Sequence, residues 1–253
     1  MYLWLYKITY FLLFAASLFF VAIYFQRYMA ARQWHKAHEL ACSGKYQEAE
    51  NVYSNIYPKL KWNGRFLFYY GNILLQNKKY GDAIIFFEKA KFTYPNPYLF
   101  ENLGVAYMNY SALADFQQNG TNHPALRAPL LKQEGSFDIQ NLSRDECINK
   151  AINYWILASN ILPWRLTPKY YLADLFYQLG ETNEAIKYAR LVVNTPMKKW
   201  TKRGKELKLK SQKMLMTVRQ AHVISLAMNQ KCDDPGLIVF DINDKKTWNE
   251  GGW

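Results

Sequence analysis

The chain has 253 residues, half of them hydrophobic and 17% aromatic, which is ample for a buried core and unlike a disordered chain. Lys and Arg number 32 against 20 Asp and Glu, so a formal charge of +12 leans toward acidic partners. Three widely spaced cysteines, Cys42, Cys147 and Cys232, fit neither a disulfide framework nor a metal-binding spacing.

The first predicted element is apolar. From Ile8 to Phe25 the sequence "ITYFLLFAASLFFVAIYF" runs 18 residues without a charge. At about 1.5 Å per residue this approaches the roughly 30 Å of a bilayer's hydrocarbon core. Residues 1–28 are therefore expected to be an N-terminal transmembrane anchor, with membrane contact over residues 2–25 and aromatic belts at Tyr2, Trp4, Tyr6 and Tyr24. A cleaved signal peptide would have a shorter apolar region of about 7 to 15 residues, followed by a small-residue cleavage site. Arg27, Arg32 and Lys36 outweigh Lys7 and the amino terminus by about one charge, which places the body on the cytoplasmic side by the positive-inside rule.

Residues 29–197 carry a repeat. Tyr46 and Ala49 in "GKYQEAENVY" return 34 residues later as Tyr80 and Ala83 in "KKYGDAIIFFEKAKFTYP". Ala151, Trp155, Ala158 and Pro163 repeat the spacings of Ala83, Phe87, Ala90 and Pro95, and Ala185 follows Ala151 by another 34. Small residues are needed where two helices cross closely, and the bulky one fills the space beside them. Gly71 with Leu67 and Leu74, and "NLGVAY" with Leu103, Gly104 and Tyr107, supply the matching first helices. A 34-residue period of this kind is the helix–turn–helix pattern of tetratricopeptide repeats. The predicted fold is all-α, a tetratricopeptide solenoid of about four repeats preceded by one transmembrane helix.

The third repeat is interrupted by an insert at about residues 111–145, rich in Gly, Asn, Pro and Ser. Ser143 and Glu146 read as a capping box that restarts the helix. Residues 198–228 are expected to be a capping helix, because an open solenoid end leaves its apolar face in water. Lys198 to Lys213 holds eight Lys and Arg against Glu206 alone, a solvated face or a contact for anionic lipid headgroups. Residues 229–253 form a tail with a short strand-like run.

The order "YFQRYMAARQWHKAHELACSGKYQEAE", "FENLGVAY", "ILPWRLTPKYYLADLFYQLGETNEA" and the "TPMKK" turn resembles the C-terminal tetratricopeptide region of O-antigen ligase or polymerase-like membrane proteins of the Bacteroidetes. The resemblance covers about residues 20–215, and its most specific part is the "ILPWRLTPKYYLADLFYQLGETNEA" segment. It implies a bacterial envelope protein associated with lipopolysaccharide or other surface polysaccharide assembly. The polytopic domain that carries glycan transfer in that family has no counterpart in this sequence, so catalysis is not implied.

No catalytic, cofactor or metal site is read from the residues. His35 and His38 stand at i and i+3 but read as a polar helix face, and the insert's His123, Glu134 and Asp138 make no recognisable catalytic set. A nucleic-acid-binding motif is also lacking. What remains is the concave groove of the first helices, expected to take a protein or peptide partner through Trp34, Arg65, Phe68, Asn72, Tyr98, Glu101, Tyr170, Asp174 and Tyr177. His38 and Val105 stand at equivalent offsets. Asn72 and Asn102 look like the asparagines of a carboxylate clamp, but Phe68 stands where such a clamp needs polarity. The expected role is a non-catalytic scaffold at the bacterial inner membrane.

Overall fold

A computed structural model describes residues 2–118, 142–197 and 201–233, with side chains described for 10–113, 142–197 and 201–220. The central part of the expected insert, with His123, Glu134 and Asp138, and the strand-like run of the tail lie outside these residues. Among the described residues there are nine α-helices and no strand: α1 Tyr2–Cys42, α2 Tyr46–Leu60, α3 Gly64–Gln76, α4 Tyr80–Thr93, α5 Pro97–Gln118, α6 Arg144–Ile161, α7 Leu166–Gln178, α8 Thr182–Asn194 and α9 Lys202–Asp233. Two compact units, Met1–Leu172 and Ala173–Trp253, divide the chain within α7.

The apolar N-terminal run and the first repeat helix are one continuous element. From Tyr10 to Tyr28 (66%) the apolar side chains of α1 are exposed apart from the half-buried Ile23, and the first fully buried one is Ala30 (0%). Among the described residues no packing partner covers this run, and it is long and apolar enough to cross a membrane.

In the first unit, α1 pairs with α2, α3 with α4 and α5 with α6, and successive pairs meet through α2–α3, α4–α5 and α3–α5. These are antiparallel-type helical hairpins with the small-against-large packing that the repeat predicts. Ala49, Ala83, Ala90, Ala151 and Ala158 are fully buried. Gly71 lies against the Phe87 ring so closely that a Cβ there would stand 2.6 Å from it, and Gly104 lies in the same way against the Trp155 indole. Burying a Phe87-sized side chain contributes about 2 to 3 kcal/mol, and the glycine is what lets the ring reach the helix backbone.

The turns after α1, α3 and α7 share one closure. Gly44, Lys78 and Gly180 have positive φ, at 80°, 60° and 78°. At each, the N–H of that residue bonds a carbonyl three residues back and the next N–H bonds one five back, from Gly44 to Ala41 and Lys45 to Leu40, for example. This pattern satisfies the last carbonyls of the helix. The starts of α3, α5 and α6 are capped by side chains: Asn63 Oδ1 accepts from Phe66 N at 3.1 Å, Asn96 Oδ1 from Leu99 N at 3.0 Å, and Ser143 with Glu146 forms the full capping box.

The third hairpin departs from expectation in one respect. Ser111–Gln118, the first eight residues of the expected insert, continue α5 as helix. No Gly or Pro interrupts that stretch, and Ser111 is buried with its hydroxyl bonded to the Met108 carbonyl at 2.8 Å. In the second unit, α8 packs on α9, with Ala185, Ala189 and Val192 buried on α8 and Leu207 and Val218 buried on α9.

Candidate functional site

Three buried glutamates tie the first unit together before any exposed surface is considered. Glu50 on α2 accepts from Asn77 Nδ2 (2.6 Å) and Lys79 Nζ (2.5 Å) at the α3–α4 turn. Glu88 on α4 accepts from the hydroxyls of Tyr107 on α5 (3.0 Å) and Tyr154 on α6 (2.6 Å), with Lys91 on its other oxygen at 2.6 Å. Burial and the Glu88 charge push both tyrosine hydroxyls far above their ordinary range, so they stay protonated and donate. Glu101 on α5 takes the Arg165 guanidinium through Nε and, at 3.2 Å, through its second nitrogen. Buried charges at such sites are tolerated when paired and hydrogen-bonded, and the Glu50 and Glu88 pairings also fix one hairpin against the next.

The exposed candidate is the face made by the first helices of the hairpins. Its centre is Tyr69 on α3, half-buried, with neighbours from both α1 and α3. Trp34 lies 6.0 Å away and His38 5.2 Å away in an edge-to-face arrangement, both from α1, and the Arg65 guanidinium stands 5.8 Å over the ring. Trp34 is itself fixed, its Nε1 donating to the Tyr53 hydroxyl at 3.0 Å and its ring edge-on to Phe66. Burial pushes Tyr53 up to about 12, which keeps that hydroxyl neutral. Further along, Asn102 Nδ2 on α5 donates to Asn72 Oδ1 on α3 at 2.6 Å, and the Arg165 guanidinium covers the exposed Tyr98 ring at 4.4 Å.

Trp34, Arg65, Asn72 and Tyr98 thus lie half-buried or exposed on adjoining first helices. Phe68 does not join them: at 8% exposure it packs on Phe87 and Tyr94 and belongs to the core. Glu101 is buried in its ion pair with Arg165, leaving no carboxylate free for a partner. Tyr170 is half-buried beside Tyr171. Asp174 and Tyr177 belong to the second unit, where Asp174 accepts from Gln178 at 3.0 Å with its carboxyl raised by burial, and Tyr177 is exposed. Tyr69 was missed by the sequence offsets, which count turns on one helix and do not register what the preceding hairpin brings alongside. Asn72 and Asn102 bond each other, which uses one of the Asn102 N–H donors that a carboxylate clamp would need free.

No cluster of three or more metal-ligating side chains occurs among the described residues. His38 Nε2 lies 3.8 Å from Cys42 Sγ on one exposed helix face, a pair without a third ligand among the described residues.

The helical hairpins, their 34-residue register and the glycine–aromatic contacts define an all-α protein of tetratricopeptide-like construction. No protein-family model matches the sequence, and no curated protein matches it. Among solved structures the chain is similar to one described as "Functional Characterization of Pseudomonas Aeruginosa pilF", at 19% identity and a TM-score of 0.48 over 82% of this chain and 78% of that one. It is also similar to one described as "Crystal structure of MamA protein", at 14% identity and 0.46, over 83% of this chain and 98% of that one. At such identities and scores, the fold assignment rests on this chain's own repeat register and packing.

Proposed function

We propose that this chain is a membrane-anchored scaffold that holds a protein or peptide partner on the first-helix face of its first unit. One observation carries the reading: Tyr69 is surrounded by Trp34, His38 and Arg65 while remaining half-exposed, with Asn72, Asn102 and Tyr98 continuing the same face. Aromatic and arginine side chains held in place before binding lose little conformational entropy on association, and they recur at the energetic centres of protein interfaces. The role is non-catalytic. The apolar run of α1 supplies the anchor in a bacterial inner membrane, and the charge flanking it favours a cytoplasmic body. The contact residues are Trp34, His38, Arg65, Tyr69, Asn72, Asn102 and Tyr98 in the first unit. Tyr170 extends the set within that unit.

The test is affinity isolation of the full chain from detergent-solubilised membranes, comparing wild type with Tyr69→Ala and Arg65→Glu. A partner retained by wild type and lost from both variants supports the reading. A partner retained equally by all three places binding elsewhere and removes it. A reporter fused after Trp253 settles the side of the membrane.

A second reading is favoured by the "ILPWRLTPKYYLADLFYQLGETNEA" segment, which resembles the repeat region of Bacteroidetes O-antigen ligase or polymerase-like proteins. In it the scaffold serves surface polysaccharide assembly, and a polytopic partner supplies glycan transfer. Co-isolation of a multi-spanning membrane protein on the Tyr69 face would select this reading over a soluble partner.

A further inference from the structure

The second unit carries a surface that the protein-binding face does not explain. Along α9 the buried side is Gly204, Leu207, Ser211 and Val218, at steps of three, four and seven residues, and this side faces α8. The opposite side is centred on Leu209 and Met216, which are 52% and 63% exposed. A helix docked on one side ordinarily turns only polar residues to solvent. Here two apolar side chains stand in the middle of the outer face.

What surrounds them is cationic. From Lys202 to Arg219 the helix carries seven Lys and Arg against Glu206 alone, and Lys202, Lys205, Lys213 and Arg219 are exposed around the two apolar residues. Some of the charge is used internally: Lys210 pairs with Glu206 at 2.9 Å and Lys208 donates to the Val193 carbonyl at 2.8 Å. Beside Met216 an open groove between α8 and α9 is lined by Ile186, Arg190, Gln212, Leu215, Met216 and Arg219. Among the described residues neither Arg190 nor Arg219 has a carboxylate or hydrogen-bond partner.

We propose that the outer face of α9, with the Arg190–Arg219 groove at its side, docks on an anionic membrane surface. Lysines around the rim meet headgroup charge, Leu209 and Met216 enter the interfacial layer, and the two arginines hold a lipid phosphate over the apolar floor of Ile186 and Leu215. Charge complementarity and exposed apolar anchors on one face are the combination that interfacial helices use. An acidic peptide would find the charge but has no need of two apolar side chains projecting from a convex helix face. The inference adds a second membrane contact to the proposed anchor and does not depend on the Tyr69 face.

The test places an environment-sensitive, cysteine-reactive fluorophore at Leu209→Cys in the full chain carrying Cys42→Ser and Cys232→Ser. Cys147 is buried, and burial lifts its thiol to about 11, so it takes no label. The protein is reconstituted in lipid discs of phosphatidylcholine, alone or with about 30 mol % phosphatidylglycerol, and a neutral aqueous quencher is added. Expected is quenching reduced on the order of threefold in the anionic discs only, with the protection lost at about 0.5 M salt. Lys202→Gln with Lys205→Gln and Lys213→Gln should weaken docking on the order of a hundredfold, at about fivefold per lysine. A label at Phe92→Cys, 82% exposed on α4, should not respond. Equal quenching in both kinds of disc, or protection induced by a soluble acidic peptide in place of anionic lipid, overturns the proposal. Failure of the chain to enter discs at all is a failure of the anchor instead. The same label with added vesicles then still decides for or against docking by α9.

Discussion

Lys78 takes a left-handed backbone conformation, φ 60°, at the position that Gly44 holds at φ 80° one 34-residue repeat earlier. The two turns close with the same pair of hydrogen bonds, Lys78 N to Leu75 O at 3.1 Å and Lys79 N to Leu74 O at 2.9 Å in the second. A side chain at positive φ meets the backbone in a way that glycine does not. Lys78→Gly is therefore expected to stabilise the chain by about 0.5 to 1 kcal/mol, and Gly44→Ala to destabilise it by about 1 kcal/mol. Urea titration of the two variants beside wild type checks both signs.

Gly104 on α5 lies against the Trp155 indole of α6, whose Nε1 donates to the Glu101 carbonyl at 3.1 Å. Gly104→Ala should destabilise by about 1 to 3 kcal/mol through overpacking. Adding Trp155→Leu should make the pair less costly than the sum of the two single changes, because the clash needs both residues. Additive effects in a double-mutant cycle would show that the contact is not what requires glycine.

The Glu88 network predicts a contrast between buried and exposed ion pairs. Glu88→Ala leaves Lys91 and the hydroxyls of Tyr107 and Tyr154 without their common acceptor, and should destabilise by about 3 kcal/mol. Glu184→Ala, which removes an exposed pair with Lys187, should change stability by less than about 0.5 kcal/mol. Similar losses from both would place the Glu88 carboxylate outside the supporting core.

Asp82 makes stability depend on pH. Burial lifts its carboxyl from 3.8 to about 6, with Glu50 adding to the rise and Lys79 opposing it, and its Oδ1 has no hydrogen-bond donor among the described residues. Between those values the folded chain binds a proton that the unfolded chain has released. Stability from this group is therefore lost as pH rises from about 4 to 6, and the penalty is constant above that, up to about 3 kcal/mol. Asp82→Asn should flatten this part of the profile and raise stability at pH 7 relative to wild type. The difference between the two unfolding curves across pH 4 to 7 reads it directly.

The fold was legible because its determinants are local and periodic. Ala49, Ala83, Ala151 and Ala185 recur at fixed spacing for a steric reason, and Ser143 with Glu146 announces a helix start within four residues. What was not legible depends on residues far away in sequence. Phe68 looked like a groove residue by its offset from Gly71, and only the arrival of Phe87 and Tyr94 makes it core. Glu101 looked available until Arg165, 64 residues on, closed over it. Tyr69 gained its place from Trp34 and His38 on a different hairpin. The helix of α5 ran past the expected start of the insert because composition marks where a loop is permitted, not where a helix must end.

The scaffold reading is tested most directly by site-specific photo-crosslinking in cells. A benzophenone amino acid is placed at Tyr69, at His38 or at Phe92 of the full chain, one at a time. The account predicts that the Tyr69 and His38 positions capture one common protein, that Arg65→Glu abolishes this capture, and that Phe92 captures nothing in common with them. Capture of the same protein equally well from Phe92, or from Tyr69 regardless of Arg65→Glu, would contradict a binding role for the first-helix face.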